Sequence, residues 1–154
     1  MNPGRSLIVL VEDNPDHAEL TKTCLLQHTA VGRVVHFKDG EEAADFVLQP
    51  GFPSDDGSTS LPDLILLDLK LPRVSGIEVL RTIRKSEQLQ KTPVVILTSS
   101  EADRDVREAY RSGANGYTVK PLDYSRLQQL ISDICTFWLV WNHAPSTKTP
   151  ALKE

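Results

Sequence analysis

Three short apolar runs, each followed by polar residues and then by a helical pattern, constrain the fold more than any other feature. They occupy residues 7–11, 64–67 and 94–97. Strands that are apolar throughout are typical of parallel sheets, where both faces of the strand are buried. Weaker strand patterns at residues 33–37 and 116–119 bring the expected number of strands to five.

Helical periodicity follows each predicted strand, at residues 16–28, 40–48, 76–85, 103–111 and 124–141. A strand-helix unit that repeats five times requires right-handed crossovers and places helices on both faces of a parallel sheet. The predicted fold class is therefore α/β, a doubly wound, flavodoxin-like (βα)5 fold. We take its strand order as 2-1-3-4-5, by analogy with other sheets of this kind.

The 154 residues are enough for one domain. We expect this domain to span residues 1–141, with an exposed loop rich in Pro, Gly, Ser and Asp at 50–62 and an aperiodic tail at 142–154. The net charge of -4 gives no basic surface for nucleic acid, and no apolar run is long enough for a membrane span. Cys24 and Cys135 suit packed helix faces, so we expect a reducing, cytoplasmic setting.

Carboxylates stand at the ends of two predicted strands. Glu12 and Asp13 follow the first strand and Asp68 follows the third. Because the carboxyl ends of parallel strands meet at one edge of the sheet, the three side chains should converge there. Such a cluster of like charges requires a cation, and oxygen ligands without His or Cys favour Mg²⁺.

A hydroxyl and an ammonium group are expected at the same edge. Thr98 ends the fourth strand and Lys120 follows the fifth, and both side chains can bind phosphate oxygens. A carboxylate nucleophile, a metal ion, a lysine and a hydroxyl together supply what phosphoryl transfer requires. We therefore predict that Asp68 is a phosphoacceptor.

The motifs that carry this chemistry are VEDN at 11–14, DLKLP at 68–72 followed by Gly76, LT at 97–98 and KP at 120–121. In their order and spacing they resemble the CheY-like receiver domains of response regulators, over about residues 7–134. The resemblance implies that the chain is a phosphoacceptor switch and not an enzyme. Such a switch receives its phosphoryl group from a histidine kinase. It further implies that Mg²⁺ is held by Glu12, Asp13, Asp68 and the backbone carbonyl of Lys70.

The same resemblance implies roles for residues around the phosphoacceptor. Lys120 would pair with the phosphoryl group, Thr98 and Tyr117 would form the conformational switch, and Pro121 would follow a cis peptide bond. The family also supplies a homodimer face made by the fourth helix, the fifth strand and the last helix. The candidate residues on that face and the following segment are Leu127, Leu130, Phe137, Trp138 and Trp141.

A finer resemblance is to the small regulators paired with bacterial phytochromes. It rests on the long loop before the third strand and on a last helix that closes with Phe137, Trp138 and Leu139. It implies that the partner kinase is a bacteriophytochrome. The aromatic residues also suit a simpler role, which is to cap the core.

The same residues argue against two other functions and leave two alternatives open. A phosphatase of the haloacid dehalogenase type needs a second acid two residues after its nucleophile, where this chain has Lys70. A flavin or nucleotide binder needs a glycine-rich loop after the first strand, which is missing. A phosphorelay intermediate and a receiver that acts only by protein interaction stay open. The scattered histidines show no ligand spacing and receive no role: His17, His28, His36 and His143.

Overall fold

The computed structural model describes residues 6–53 and 56–143. In chain order its elements are β1 (Ser6–Val11), α1 (Pro15–Gln27), β2 (Val31–Phe37), α2 (Gly40–Leu48), β3 (Phe52–Pro53), β4 (Thr59–Ser60), β5 (Leu64–Leu67), α3 (Gly76–Lys85), β6 (Val94–Thr98), α4 (Asp103–Arg111), β7 (Gly116–Val119), α5 (Tyr124–Cys135) and a π-helix (Thr136–Trp141). No helix within these ranges is both long and apolar enough to cross a membrane.

Five of the strands form one parallel sheet in the order β2-β1-β5-β6-β7. Counted along the chain without the short strands β3 and β4, this is the predicted order 2-1-3-4-5. The predicted fold class, a doubly wound α/β sheet, is confirmed. The three strands at the centre of the sheet are the three apolar runs of the sequence, and they are almost completely buried.

The sheet divides the core into two layers because successive side chains of a strand point to opposite faces. Val9 and Val11 pack on the side of α2 and α3, with Leu80 and Ile83. Ile8 and Leu10 pack on the other side, where Leu25 and Ile131 bring in α1 and α5. Both faces are thus covered by helices, and the carboxyl ends of the strands are left as the accessible edge.

The loop predicted at residues 50–62 contains a short hairpin. Its strands β3 and β4 pair antiparallel. The Phe52 ring stacks on the Phe46 ring with centroids 4.9 Å apart, and the Phe46 ring lies 5.2 Å from the Phe37 ring. The guanidinium of Arg33 lies 5.3 Å from the centroid of Phe52. These contacts hold the hairpin against β2, the edge strand of the sheet.

The helix predicted at residues 124–141 is found as α5 followed by the π-helix. Leu127 is buried and Leu130 is half-buried against the core that α5 covers. Five large apolar residues in succession cannot all face this core, and the π-helix divides them. Trp138 and Leu139 pack partly against the core, whereas the other three are exposed: Phe137, Val140 and Trp141. Of the predicted tail, residues 144–154 lie outside the described residues.

Candidate functional site

The carboxyl ends of β1, β5, β6 and β7 surround a cavity of about 250 Å³ at one edge of the sheet. Six of the residues predicted for the site line it: Glu12, Asp13, Asp68, Lys70, Thr98 and Lys120. Three further residues complete the lining: Asn14, His17 and Ser99. The sheet therefore brings together side chains that lie far apart in the sequence.

The three carboxylates of the cavity form a compact cluster. Glu12 and Asp68 are only 2% and 6% exposed, whereas Asp13 is open to solvent. One oxygen from each lies within 4.8 Å of the others. Hard oxygen ligands at such distances suit a divalent cation such as Mg²⁺, which keeps part of its water shell and therefore needs an open side. The exposed Asp13 provides that side, so the residues present fit the metal.

Lys120 neutralises part of this cluster. Its Nζ donates to Asp68 Oδ2 at 2.8 Å and makes a short contact with Glu12 Oε1. Burial alone would lower the pKa of the ammonium, but the hydrogen bonds and charges of Asp68 and Glu12 outweigh burial and hold this pKa above its ordinary value. Lys120 therefore stays charged between two buried carboxylates.

The second oxygen of Asp68 is also engaged. Its Oδ1 accepts a hydrogen bond of 3.2 Å from the backbone N–H of Lys70, whose side chain is exposed. Gly76 allows α3 to begin close to this strand end, because a Cβ at this position would lie 2.2 Å from the carbonyl oxygen of Asp68. The start of α3 can thus pack directly on the strand end that carries Asp68, and this contact explains the glycine of the motif.

Thr98 is fully buried, and its hydroxyl has no hydrogen-bond partner among the described residues. The residue ends β6, and its carbonyl accepts from Lys120 N–H at 2.8 Å, which ties the ends of β6 and β7 together. A buried hydroxyl without a partner costs about 1–3 kcal/mol. The Thr98 hydroxyl is therefore free to bind a ligand oxygen in the cavity.

Tyr117 lies beside the cavity rather than in its lining. It is half-buried against the core, and burial raises the pKa of its phenol. The phenol hydroxyl donates to the carbonyl of Ser100 at 2.9 Å. This hydrogen bond links β7 to the segment that follows Thr98.

One prediction for the site is wrong. The peptide bond between Lys120 and Pro121 is trans, and none of the bonds in residues 6–53 and 56–143 is cis. The trans form is favoured by about 0.5–1 kcal/mol even before proline, so a cis bond needs specific support from its surroundings.

Sequence reasoning gave no role to two cavity residues at the start of α1, although the VEDN motif includes the first of them, Asn14. Asn14 is the N-cap of α1, and its Oδ1 accepts from Asp16 N–H at 2.9 Å and from His17 N–H at 3.0 Å. This cap turns the first turn of the helix towards the carboxylates and brings His17 to the cavity mouth. Metal-ligand spacing, the usual signal for a functional histidine, does not identify His17. The available signal was the position of His17 on a first helical turn that starts directly after Glu12 and Asp13.

Fold and cavity together define the class of protein: a doubly wound α/β domain with an acidic cavity, a threonine and a lysine at the carboxyl ends of its strands. The model of the family described as "Response regulator receiver domain" matches residues 8–132. The chain belongs to this family. It is accordingly a signalling switch of a two-component system rather than a conventional enzyme, and the partners of such switches are histidine kinases.

Relatives narrow this family assignment. The chain is 42% identical to the probable methanogenesis regulatory protein FilR2 of Methanothrix harundinacea, over 90% of this chain and 87% of that protein. It is 35% identical to the response regulator Rcp1 of Synechocystis, over 90% and 91% of the two chains. The crystal structure of the phosphorylated cyanobacterial phytochrome response regulator RcpA superposes with a TM-score of 0.82 at 37% identity, covering 92% of this chain and 99% of that one. The chain is therefore similar to the phytochrome-associated regulators.

Proposed function

We propose that this chain is a small response regulator that accepts a phosphoryl group on Asp68 from a histidine kinase, with Mg²⁺ as cofactor. The observation that carries the proposal is the setting of Asp68. This carboxylate is buried at the end of a central strand, paired with Lys120 and adjacent to the carboxylates of Glu12 and Asp13. A buried carboxylate beside a cation and a candidate metal site is suited to attack phosphorus.

The transfer proceeds as a displacement at phosphorus. An oxygen of the Asp68 carboxylate forms the new P–O bond while the N–P bond of the kinase phosphohistidine breaks. The bonding electrons stay on the imidazole nitrogen, which then takes a proton from solvent. Lys120 neutralises charge on the phosphoryl oxygens, and the Thr98 hydroxyl donates a hydrogen bond to one of them. Mg²⁺, when bound, neutralises the negative charge shared by the carboxylates and the phosphoryl group.

The proposed metal ligands are Glu12, Asp13, Asp68 and the backbone carbonyl of Lys70. Three of them are the carboxylates whose oxygens cluster within 4.8 Å. A relative supports divalent metal binding, since the response regulator Rcp1 has a crystal structure in a Mn²⁺-bound form, with a TM-score of 0.79 and 32% identity over 92% of this chain and 100% of that one.

The proposed switch consists of Thr98 and Tyr117. The unpartnered hydroxyl of Thr98 can rotate towards a phosphoryl oxygen, and Tyr117 holds the following segment through Ser100. Phosphorylation then changes the segment between β6 and α4, which borders the face formed by α4, β7 and α5. A change on this face is how the chain would signal to another protein.

We further propose that this face forms a homodimer and that the kinase is a phytochrome. Leu127 and Leu130 pack inside their own chain, so the apolar area available to a partner comes from exposed side chains. These are Tyr110 of α4, Val119 of β7, Leu122 and Tyr124 at the start of α5, and Phe137, Val140 and Trp141 of the π-helix. Exposed apolar groups of this size favour a protein contact. The phytochrome partner is supported by the similarity to RcpA.

The central test is intact mass spectrometry after incubation with acetyl phosphate and Mg²⁺. Wild type should gain one phosphoryl group, and Asp68→Asn should gain none. Asp63→Asn is the matched control. It removes another partly buried carboxylate, which directly precedes β5, whereas Asp68 directly follows this strand. If the wild type gains no phosphoryl group, the proposed phosphorylation is refuted and the alternative is a receiver that acts only by protein interaction. If Asp68→Asn is labelled, the phosphoacceptor is a residue other than Asp68.

A further inference from the structure

His17 lines the cavity mouth although no motif includes it. Its backbone N–H is held by the N-cap side chain of Asn14, which fixes the first turn of α1 beside the carboxylates. Its imidazole Nδ1 lies 3.5 Å from Nζ of Lys120. An exposed histidine on a helix usually has no such partner, whereas this one faces the cation that the proposed chemistry uses.

The chemistry of Lys120 determines which group donates in this contact. An ammonium group has three N–H donors and no acceptor. Three acceptors surround it here: Glu12 Oε1, Asp68 Oδ2 and His17 Nδ1. Lys120 can only donate, so the 3.5 Å contact is a hydrogen bond in the His17 tautomer that leaves Nδ1 as the acceptor.

We propose that His17 is a positioning residue that holds the Lys120 ammonium at the cavity mouth for the incoming phosphoryl group. The proposal rests on the function proposed above. Glu12 and Asp68 would also hold the metal ion, so Lys120 would share these two acceptors with it. His17 is the one of the three that is not a proposed metal ligand, so it keeps the ammonium aimed at the phosphoryl oxygens.

The test measures the binding of a phosphoryl analogue and the binding of a metal ion separately. Isothermal titration calorimetry gives the Kd of beryllofluoride in saturating Mg²⁺ and, independently, the Kd of Mn²⁺ alone. His17→Leu should weaken beryllofluoride about fivefold, the effect of one lost hydrogen bond, while the Kd of Mn²⁺ changes less than twofold. His17→Asn, whose Oδ1 can accept in place of Nδ1, should restore most of the affinity.

Thr23→Leu is the control, since it places the same side chain at an exposed position six residues further along α1. It should bind both ligands as wild type does. Thermal unfolding confirms that the variants are folded. The proposal is overturned if His17→Leu binds beryllofluoride like wild type, if His17→Asn is as weak as His17→Leu, or if His17→Leu changes Mn²⁺ affinity equally. A wild type that binds no beryllofluoride and gains no phosphoryl mass would instead refute the proposed function itself.

Discussion

The phenol of Tyr117 donates a 2.9 Å hydrogen bond to the backbone carbonyl of Ser100, two residues after Thr98. The Ser100 hydroxyl in turn donates to Asp105 in the first turn of α4 and accepts from Ala102 N–H at 3.3 Å. Ala102, the N-cap of α4, supplies no side-chain cap of its own. Ser100 therefore links the residues before α4 to the first turn of this helix, and Tyr117 holds the backbone of Ser100.

Tyr117→Phe should leave the fold intact and loosen the start of α4. The lost hydrogen bond should lower the free energy of unfolding by about 0.5–1.5 kcal/mol. Hydrogen exchange should become faster in the segment from Ser99 to Asp105. Tyr110→Phe, at a half-exposed tyrosine of α4, is the control for removing a phenol hydroxyl. Unchanged exchange in Tyr117→Phe would show that the bond does not restrain the segment.

Lys120→Met should destabilise the metal-free protein strongly. Glu12 and Asp68 would then be buried without their cation, which typically costs about 3 kcal/mol or more at neutral pH. Mg²⁺ should recover much of this loss, so the rise of Tm on adding Mg²⁺ should be larger in the variant than in wild type. Lys85→Met, at an exposed lysine of α3, should leave both quantities unchanged. Equal Mg²⁺ effects in wild type and Lys120→Met would contradict the competition between lysine and metal.

Asp13→Asn should weaken Mg²⁺ binding and phosphoryl uptake together. The substitution removes one charge from the candidate metal site, and even outer-sphere changes weaken metal sites by roughly tenfold. Calorimetry gives the metal affinity, and intact mass after acetyl phosphate gives the uptake, with EDTA abolishing labelling in every variant. Asp16→Asn, an exposed acid on the first turn of α1, is the charge-matched control. Full labelling in EDTA would rule out the metal requirement.

Asp63→Asn should change how stability depends on pH. Burial raises the pKa of the Asp63 carboxyl, and the hydrogen bond from Leu7 N–H at 2.8 Å offsets only part of the rise. A raised folded pKa means that the folded state binds this proton more tightly than the unfolded state does. Its stabilising contribution is complete below the unfolded pKa of about 4 and is lost as the pH rises through the folded pKa.

Asparagine keeps the acceptor for Leu7 but has no proton to lose. The variant should therefore be more stable than wild type at pH 7, and this advantage should shrink as the pH falls towards about 4. Urea unfolding at several pH values measures the difference. Asp45→Asn, at an exposed position of α2, provides the comparison. A constant difference across the pH range would show that Asp63 does not titrate differently in the two states.

Phe137→Ser combined with Trp141→Ser should reduce self-association without disturbing the core. Both side chains are at least half exposed, whereas Trp138 and Leu139 pack partly on the core and are left in place. Analytical ultracentrifugation with and without beryllofluoride measures the dimer. Leu48→Ser removes an even more exposed apolar residue from α2 and should leave the dimer unchanged. A wild type that stays monomeric at high micromolar concentration would refute the proposed dimer.

The sequence predicted the central strands closely because burial on both faces leaves an uninterrupted apolar run. The edge strand β2 was predicted from residue 33 but begins at Val31, since Gly32 and Arg33 are exposed and interrupt the pattern. The convergence of Glu12, Asp13, Asp68, Thr98 and Lys120 followed from parallel strand ends. The hairpin at β3 and β4 was missed because it depends on Phe52 reaching Phe46 and Phe37, a tertiary contact that local periodicity does not report.

The buried hydroxyl of Thr98 has an energetic consequence for any switch at this site. A ligand oxygen in the cavity that accepts from this hydroxyl adds one hydrogen bond to the liganded state, which contributes about 0.5–1.5 kcal/mol. If only one of two conformations makes this bond, the ratio of the two conformations changes by about 2- to 13-fold. A single side chain at the end of β6 can therefore determine how far ligand binding shifts the ratio of the two conformations.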